Sequence, residues 1–152
     1  MKICIMGLGY IGLPTAAMFA ASGHSVVGFD VNKKVVEALN QGKILIEEPH
    51  LEEEVRKAVK KRTLRASYTP EEADAFIICV PTPINPDKTA DMSFVESGIH
   101  TVVPYLRKGN IVILESTSPP GTTRDMMCPI LEEAGFKPGE DILVAYCPER
   151  VL

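Results

Sequence analysis

Met1-Lys2-Ile3-Cys4-Ile5-Met6-Gly7-Leu8-Gly9-Tyr10-Ile11-Gly12 opens the chain. An apolar run that fits a buried strand breaks here into a glycine-rich turn, and the Ala-rich stretch Pro14 to Ala21 that follows fits a helix. A strand, a GxGxxG turn and a helix in that order suit the binding of a pyrophosphate. Gly7 makes the tight turn, Gly9 lets the backbone approach the phosphates, and Gly12 lets the helix pack close to the strand. A second strand, Ser25-Val26-Val27-Gly28-Phe29, ends in Asp30, eighteen residues after Gly12. That is where an acid would accept ribose hydroxyls, and a carboxylate there would repel a 2′-phosphate, which favours NAD over NADP.

From this stretch outward the chain alternates. Gly23 stops the first helix, Asn32 caps a second over Lys33 to Gln41, and Gly42 closes it. A loop from Gly42 to His50 precedes a charged amphipathic helix, Leu51 to Lys61, whose face Leu51, Val55, Ala58 and Val59 is apolar. Its acids come first and its lysines last, as the helix dipole favours. An edge-like strand, Thr63 to Ala66, and the turn Thr69 to Glu72 lead to the continuous apolar run Ala75 to Val80, suited to a strand covered on both faces. After Pro81-Thr82-Pro83 and a loop to Asp91 come a helix over Met92 to Leu106 and the strand Ile111 to Leu114. Glu115 to Gly121 follows, then a helix over Thr122 to Ala134 stopped by Gly135, and a last strand over Ile142 to Tyr146.

Six strands alternating with helices predict an α/β fold. The expected form is a doubly wound parallel sheet of the dinucleotide-binding (Rossmann) type, with strand order 3-2-1-4-5-6 supplied by the fold rule. Ligands then sit beyond the carboxyl ends of the strands. The polar punctuation falls there: the glycine turn, Asp30, Thr82, Thr117, and Glu149 with Arg150. Each has a plainer reading alone, Thr82 as loop chemistry and the Ser116 to Ser118 cluster as helix capping.

Composition narrows the partners. At 152 residues the chain can bury about 70% of its unfolded surface. Its net charge of −4, with both signs interspersed, offers no basic face for nucleic acid and no polybasic membrane patch. The four cysteines, Cys4, Cys79, Cys128 and Cys147, lack metal-site spacing and read as free thiols in a reducing compartment, so a cytoplasmic protein with no metal site is expected. Glycines and Pro14 interrupt the N-terminal apolar run, which argues against a signal peptide, and no apolar run is long enough to span a membrane.

Taken together, Gly7 to Ala16, Val80-Pro81-Thr82-Pro83, Asp91 to Ser97, Glu115-Ser116-Thr117-Ser118-Pro119 and Ala145 to Leu152 resemble the UDP-glucose/GDP-mannose dehydrogenase family, in family order along the whole chain. Tyr146 to Leu152 point to its branch acting on UDP-N-acetylmannosamine. The resemblance implies a two-step, NAD-dependent oxidation of a UDP-sugar 6-hydroxyl to a carboxylate, in a homodimeric enzyme that traps the aldehyde on a cysteine. It also implies roles. The amides of Tyr10 and Ile11 would serve the pyrophosphate, and Lys34, Thr82 and Thr117 would join Asp30 around the cofactor. Thr117 would assist catalysis, Glu149 would position the hydrolytic water, and Arg150 and Val151 would meet the sugar nucleotide. The family's nucleophilic cysteine motif has no counterpart among residues 1–152, so the chain is expected to be an NAD-binding domain from a longer enzyme, binding NAD but inactive alone. Competing readings are a UDP-glucose or UDP-N-acetylglucosamine 6-dehydrogenase domain, and a stand-alone module sensing NAD or NADH. The second leaves Thr117, Glu149 and Arg150 without a role.

Overall fold

A computed structural model describes residues 1–148. Six parallel strands form one sheet in the order β3-β2-β1-β4-β5-β6: β1 (Lys2–Met6), β2 (Ser25–Phe29), β3 (Leu64–Ser67), β4 (Ala75–Ile78), β5 (Ile111–Leu114) and β6 (Leu143–Tyr146). This is the expected doubly wound order. The chain starts in the middle of the sheet, winds outward to β3, then crosses to β4 and winds outward the other way to β6.

Alternation along each strand sorts the core into two layers. Ile3, Ile5, Val26, Ala75 and Ile77 face α1 (Gly12–Ala21), α2 (Lys33–Asn40) and α3 (Leu51–Lys60), meeting Leu13, Ala16, Leu39 and Val55 there. Cys4, Met6, Phe76, Ile78, Val112 and Leu114 face α4 (Ser93–Val102) and α5 (Cys128–Glu133), meeting Val95, Ile99 and Leu131. Both faces of the central strands are therefore covered, which is why β1 and β4 read as unbroken apolar runs. Asn32 caps α2 as expected, its side chain accepting from the Lys34 amide at 3.1 Å. Among the described residues no helix is long and apolar enough to cross a membrane.

The alternation has one exception. Two helices, α2 and α3, separate β2 from β3, whereas β3 reaches β4 through residues 68–74 with no helix at all. That short crossing is fastened at the start of β1. The Lys2 amide donates to Asp74 at 2.8 Å, the Asp74 amide donates to the Lys2 carbonyl at 2.8 Å, and Glu71 takes both the Lys2 ammonium, at 3.0 Å, and the Arg65 guanidinium. The Arg65 hydrogen bond, joined by that of Lys2, holds the Glu71 carboxyl at about 2. Asn110, 2% exposed, completes this rim: its side chain donates to the Ala73 and Asp74 carbonyls and accepts from the Arg107 amide, while its own carbonyl takes the Leu143 amide.

Two expected helices run differently, one at its end and one at its start, each beside a proline. The run expected over Met92 to Leu106 stops at Val102 and tightens into a 3₁₀ turn, Val103–Tyr105, at Pro104, which has no amide to donate. The helix expected over Thr122 to Ala134 begins as a π-turn, Thr123–Met127, and becomes α-helical only at Cys128. Pro129 could not return a bond to Asp125, and the wider turn absorbs that loss.

Candidate cofactor-binding site

A cleft of about 620 Å³ opens at the carboxyl ends of the strands, where β1 and β4 lie side by side and the winding reverses direction. Gly7, Gly9, Tyr10, Ile11, Asp30, Thr82 and Thr117 all line it, so seven positions singled out in the sequence meet around one space. Gly12 lies behind them, buried. Lys34 is exposed on the first turn of α2 and is not among the lining residues. Glu149, Arg150 and Val151 lie outside the described residues.

The three glycines do three different things. Gly7 turns with φ +87°, and a Cβ there would stand 2.2 Å from the Cys79 carbonyl oxygen. A Cβ on Gly12 would stand 1.9 Å from the Gly7 carbonyl oxygen and 3.1 Å from the Cys79 Cβ, so this glycine is the contact between α1 and the turn. Around Gly9 a Cβ would meet nothing within 4 Å. Its missing side chain serves the cleft and not the packing.

Between Leu8 and Asp30 the turn is held in place from the side. The Asp30 carboxylate accepts the Leu8 amide at 2.9 Å and the Asn32 amide at 2.8 Å, which fixes it at the end of β2 facing the cleft. Leu8 itself is buried, and Gly28 of β2 makes room for it: a Cβ on Gly28 would come within 2.5 Å of Leu8 Cδ2. No side chain caps the N-terminus of α1, and Gly9, Tyr10 and Ile11, the residues leading into it, line the cleft. An uncapped helix N-terminus, open space over Gly9 and an acid anchored one strand away fit a dinucleotide.

On the far side of the turn the wall comes from β4, β5 and α4. Ser116, for which helix capping was the plainer reading, is a clamp between strand ends. Its hydroxyl accepts the Val80 amide at 3.1 Å and donates to the Val80 carbonyl at 2.8 Å, drawing Val80 away from the ladder, so β4 ends at Ile78 rather than Val80. Helix α4 adds Phe94, Ser97, Gly98 and Thr101 to the lining. Their i, i+3, i+4, i+7 spacing forms a stripe beside the buried Val95, Ile99 and Val102, and a glycine inside a helix was the signal available for it.

None of the described cysteines is poised as a nucleophile. Burial raises the Cys4, Cys79 and Cys128 thiols, and desolvation with Glu115 nearby raises the exposed Cys147, so all four stay protonated. Among the described residues no cluster of His, Cys, Asp and Glu could hold a metal ion, nor is any disulfide formed.

Comparison with known proteins agrees with the geometry. The chain is 49% identical over 157 residues to the UDP-N-acetyl-D-mannosamine dehydrogenase of Escherichia coli K12, covering 99% of this chain and 37% of that protein. It is 48% identical over 155 residues to the enzyme of the same name from Methanococcus maripaludis, covering 99% of this chain and 34% of that protein. Its fold superposes on the UDP-N-acetyl-mannosamine dehydrogenase of Staphylococcus aureus with a TM-score of 0.97 at 46% identity, covering all of this chain and 37% of that one. The chain thus spans little more than a third of the length of these relatives. The family model for the NAD binding domain of UDP-glucose/GDP-mannose dehydrogenases matches residues 1–152. Its glycine turn, anchored acid and two-sided cleft suit such a domain, and the chain belongs to the UDP-glucose/GDP-mannose dehydrogenase family as its NAD-binding domain.

Proposed function

We propose that this chain is the cofactor-binding part of a UDP-N-acetyl-D-mannosamine 6-dehydrogenase, an enzyme that oxidises the sugar 6-hydroxyl to a carboxylate in two NAD-dependent steps. The observation that carries the reading is the convergence of Gly7, Gly9, Tyr10, Ile11, Asp30, Thr82 and Thr117 on one cleft at the winding reversal. The names and high identity of the relatives support the sugar. NAD, when bound, accepts the hydride removed from the sugar. The chain's own residues bind and orient it: amides of Tyr10 and Ile11 hold the diphosphate, Asp30 accepts from the adenosine ribose, and Thr82 and Thr117 flank the reactive half. Lys34, exposed on α2, would reach the cofactor only from outside the cleft. Glu149 is the residue for positioning water, and Arg150 and Val151 are those for the UDP-sugar. The whole enzyme is read as a cytoplasmic homodimer.

Asp30 supplies the first test. A carboxylate facing the ribose repels a 2′-phosphate, so calorimetry should find NAD bound at least roughly tenfold more tightly than NADP. Because the same carboxylate anchors the Leu8 and Asn32 amides, Asp30→Ala will weaken both cofactors. The informative quantity is their ratio, which should fall toward one. Full discrimination in the mutant would move the role to another residue.

The second test concerns turnover. The chain spans little more than a third of its relatives' length, and the described thiols are protonated. Near-attack positioning of a substrate is worth roughly 7–11 kcal/mol of barrier. The 152-residue chain mixed with NAD and UDP-N-acetylmannosamine should therefore produce no NADH absorbance above background. Steady production lost on Cys147→Ser would make Cys147 the nucleophile and this chain an active enzyme.

A further inference from the structure

Glu115 is the first residue past β5, and its half-buried carboxylate lines the cleft. Three elements converge on it. Oε2 accepts the Thr15 hydroxyl of α1 at 3.3 Å and the Cys79 thiol, just past β4, at 3.4 Å, while Oε1 accepts the Cys147 thiol, just past β6, at 3.6 Å. These donors are all neutral, two of them are weak, and among the described residues no lysine or arginine pairs with Glu115. The negative charge of a carboxylate in this place, at one end of the cleft, therefore has no cationic neighbour among the described residues.

Its place decides what that charge meets. Asp30 closes the cleft at the β2 end and the N-terminus of α1 stands in the middle, which leaves the β4–β5 end, with Cys79, Thr82, Glu115 and Thr117, for the nicotinamide half. The nicotinamide ring is a cation in the oxidised cofactor and neutral in the reduced one, and the two forms are otherwise alike. We propose that Glu115 is a specificity determinant for cofactor redox state: its carboxylate stabilises the cationic ring of NAD⁺ and contributes little to NADH. The inference rests on the NAD-binding reading of the cleft. Asp30 and the glycine turn touch parts common to both forms, so the ratio of the two affinities isolates the residue that faces the ring.

The measurement is binding of NAD⁺ and of NADH to this chain by calorimetry, for wild type and for Glu115→Gln, which keeps the shape and a carbonyl acceptor but loses the charge. The preference for NAD⁺ over NADH should fall roughly tenfold, almost entirely through weaker NAD⁺ binding. A mutant whose ratio equals that of wild type overturns the proposal while leaving the cofactor site intact. Should wild type bind neither form, the NAD-binding reading itself fails and the proposal with it. If Glu115→Gln does not fold, Glu115→Asp and Glu115→Asn give the same comparison between a charged and a neutral side chain. The aspartate variant should keep the preference for NAD⁺ and the asparagine variant should lose it, and equal ratios in the two overturn the proposal.

Discussion

Gly9→Val should leave the protein folded and lower its affinity for NAD by at least about a hundredfold. The two halves of that expectation come from the same observation. A Cβ at residue 9 meets nothing within 4 Å, and no left-handed backbone angle is required there, so the lattice of strand, turn and helix tolerates a side chain. A substitution in open space changes stability by about 0.5 kcal/mol or less. That open space is where a diphosphate would have to come against the amides of Tyr10 and Ile11. A valine would separate the two, and each lost charge-assisted hydrogen bond costs about 1.5–3 kcal/mol. Calorimetry with NAD and a thermal melt check the two halves independently. Normal binding by the mutant would remove the diphosphate from this turn.

The reverse pattern is expected three residues later, where Gly12→Ala should lower stability by about 3 kcal/mol or more. Its added methyl would stand 1.9 Å from the Gly7 carbonyl oxygen, a backbone atom held in place because the Leu8 amide of the same peptide unit is bonded to the Asp30 carboxylate at 2.9 Å. The start of α1 must move away from β1. For a chain of this size the melting temperature should fall by roughly 6–12 °C. A melt within a degree or two of wild type would show that the helix start shifts freely, and would contradict the close packing described for it.

These two glycines mark how far local sequence could be read. The turn, the acid after β2 and the runs of β1, β4 and β5 were legible because each is set by a few consecutive residues: a period, a left-handed angle, a cap. The strand order needed the general rule for wound sheets, whereas Ile3 and Ile5 on one face with Cys4 and Met6 on the other follow from strand alternation alone. What was not legible depends on neighbours distant in sequence. Gly28 looks like any strand glycine until Leu8 is placed against it, and Ser116 looks like a capping serine until Val80 is across from it at hydrogen-bond distance. The proline-induced turns at Pro104 and Pro129 were missed for a different reason. Apolar periodicity continued through them, and the missing amide was outweighed by the pattern. In the site, the spacing marks Asp30 as a candidate for the ribose but not as the anchor of the turn, since nothing in it says that the carboxylate reaches back to Leu8.

The short crossing from β3 to β4 has a practical consequence for anyone wishing to engineer this protein. Its fastenings, Lys2, Arg65, Glu71, Asp74 and Asn110, gather at the amino ends of the strands, while the cleft occupies the carboxyl ends. Positions so separated, with no shared partners, combine additively in their effects on stability and binding. Reinforcing the first rim, by tightening residues 68–74 or extending the Asn110 contacts, can therefore raise the tolerance of the protein to later changes around the cleft. Specificity could be redesigned at one end of the sheet while the other supplies the reserve of stability that such redesign consumes.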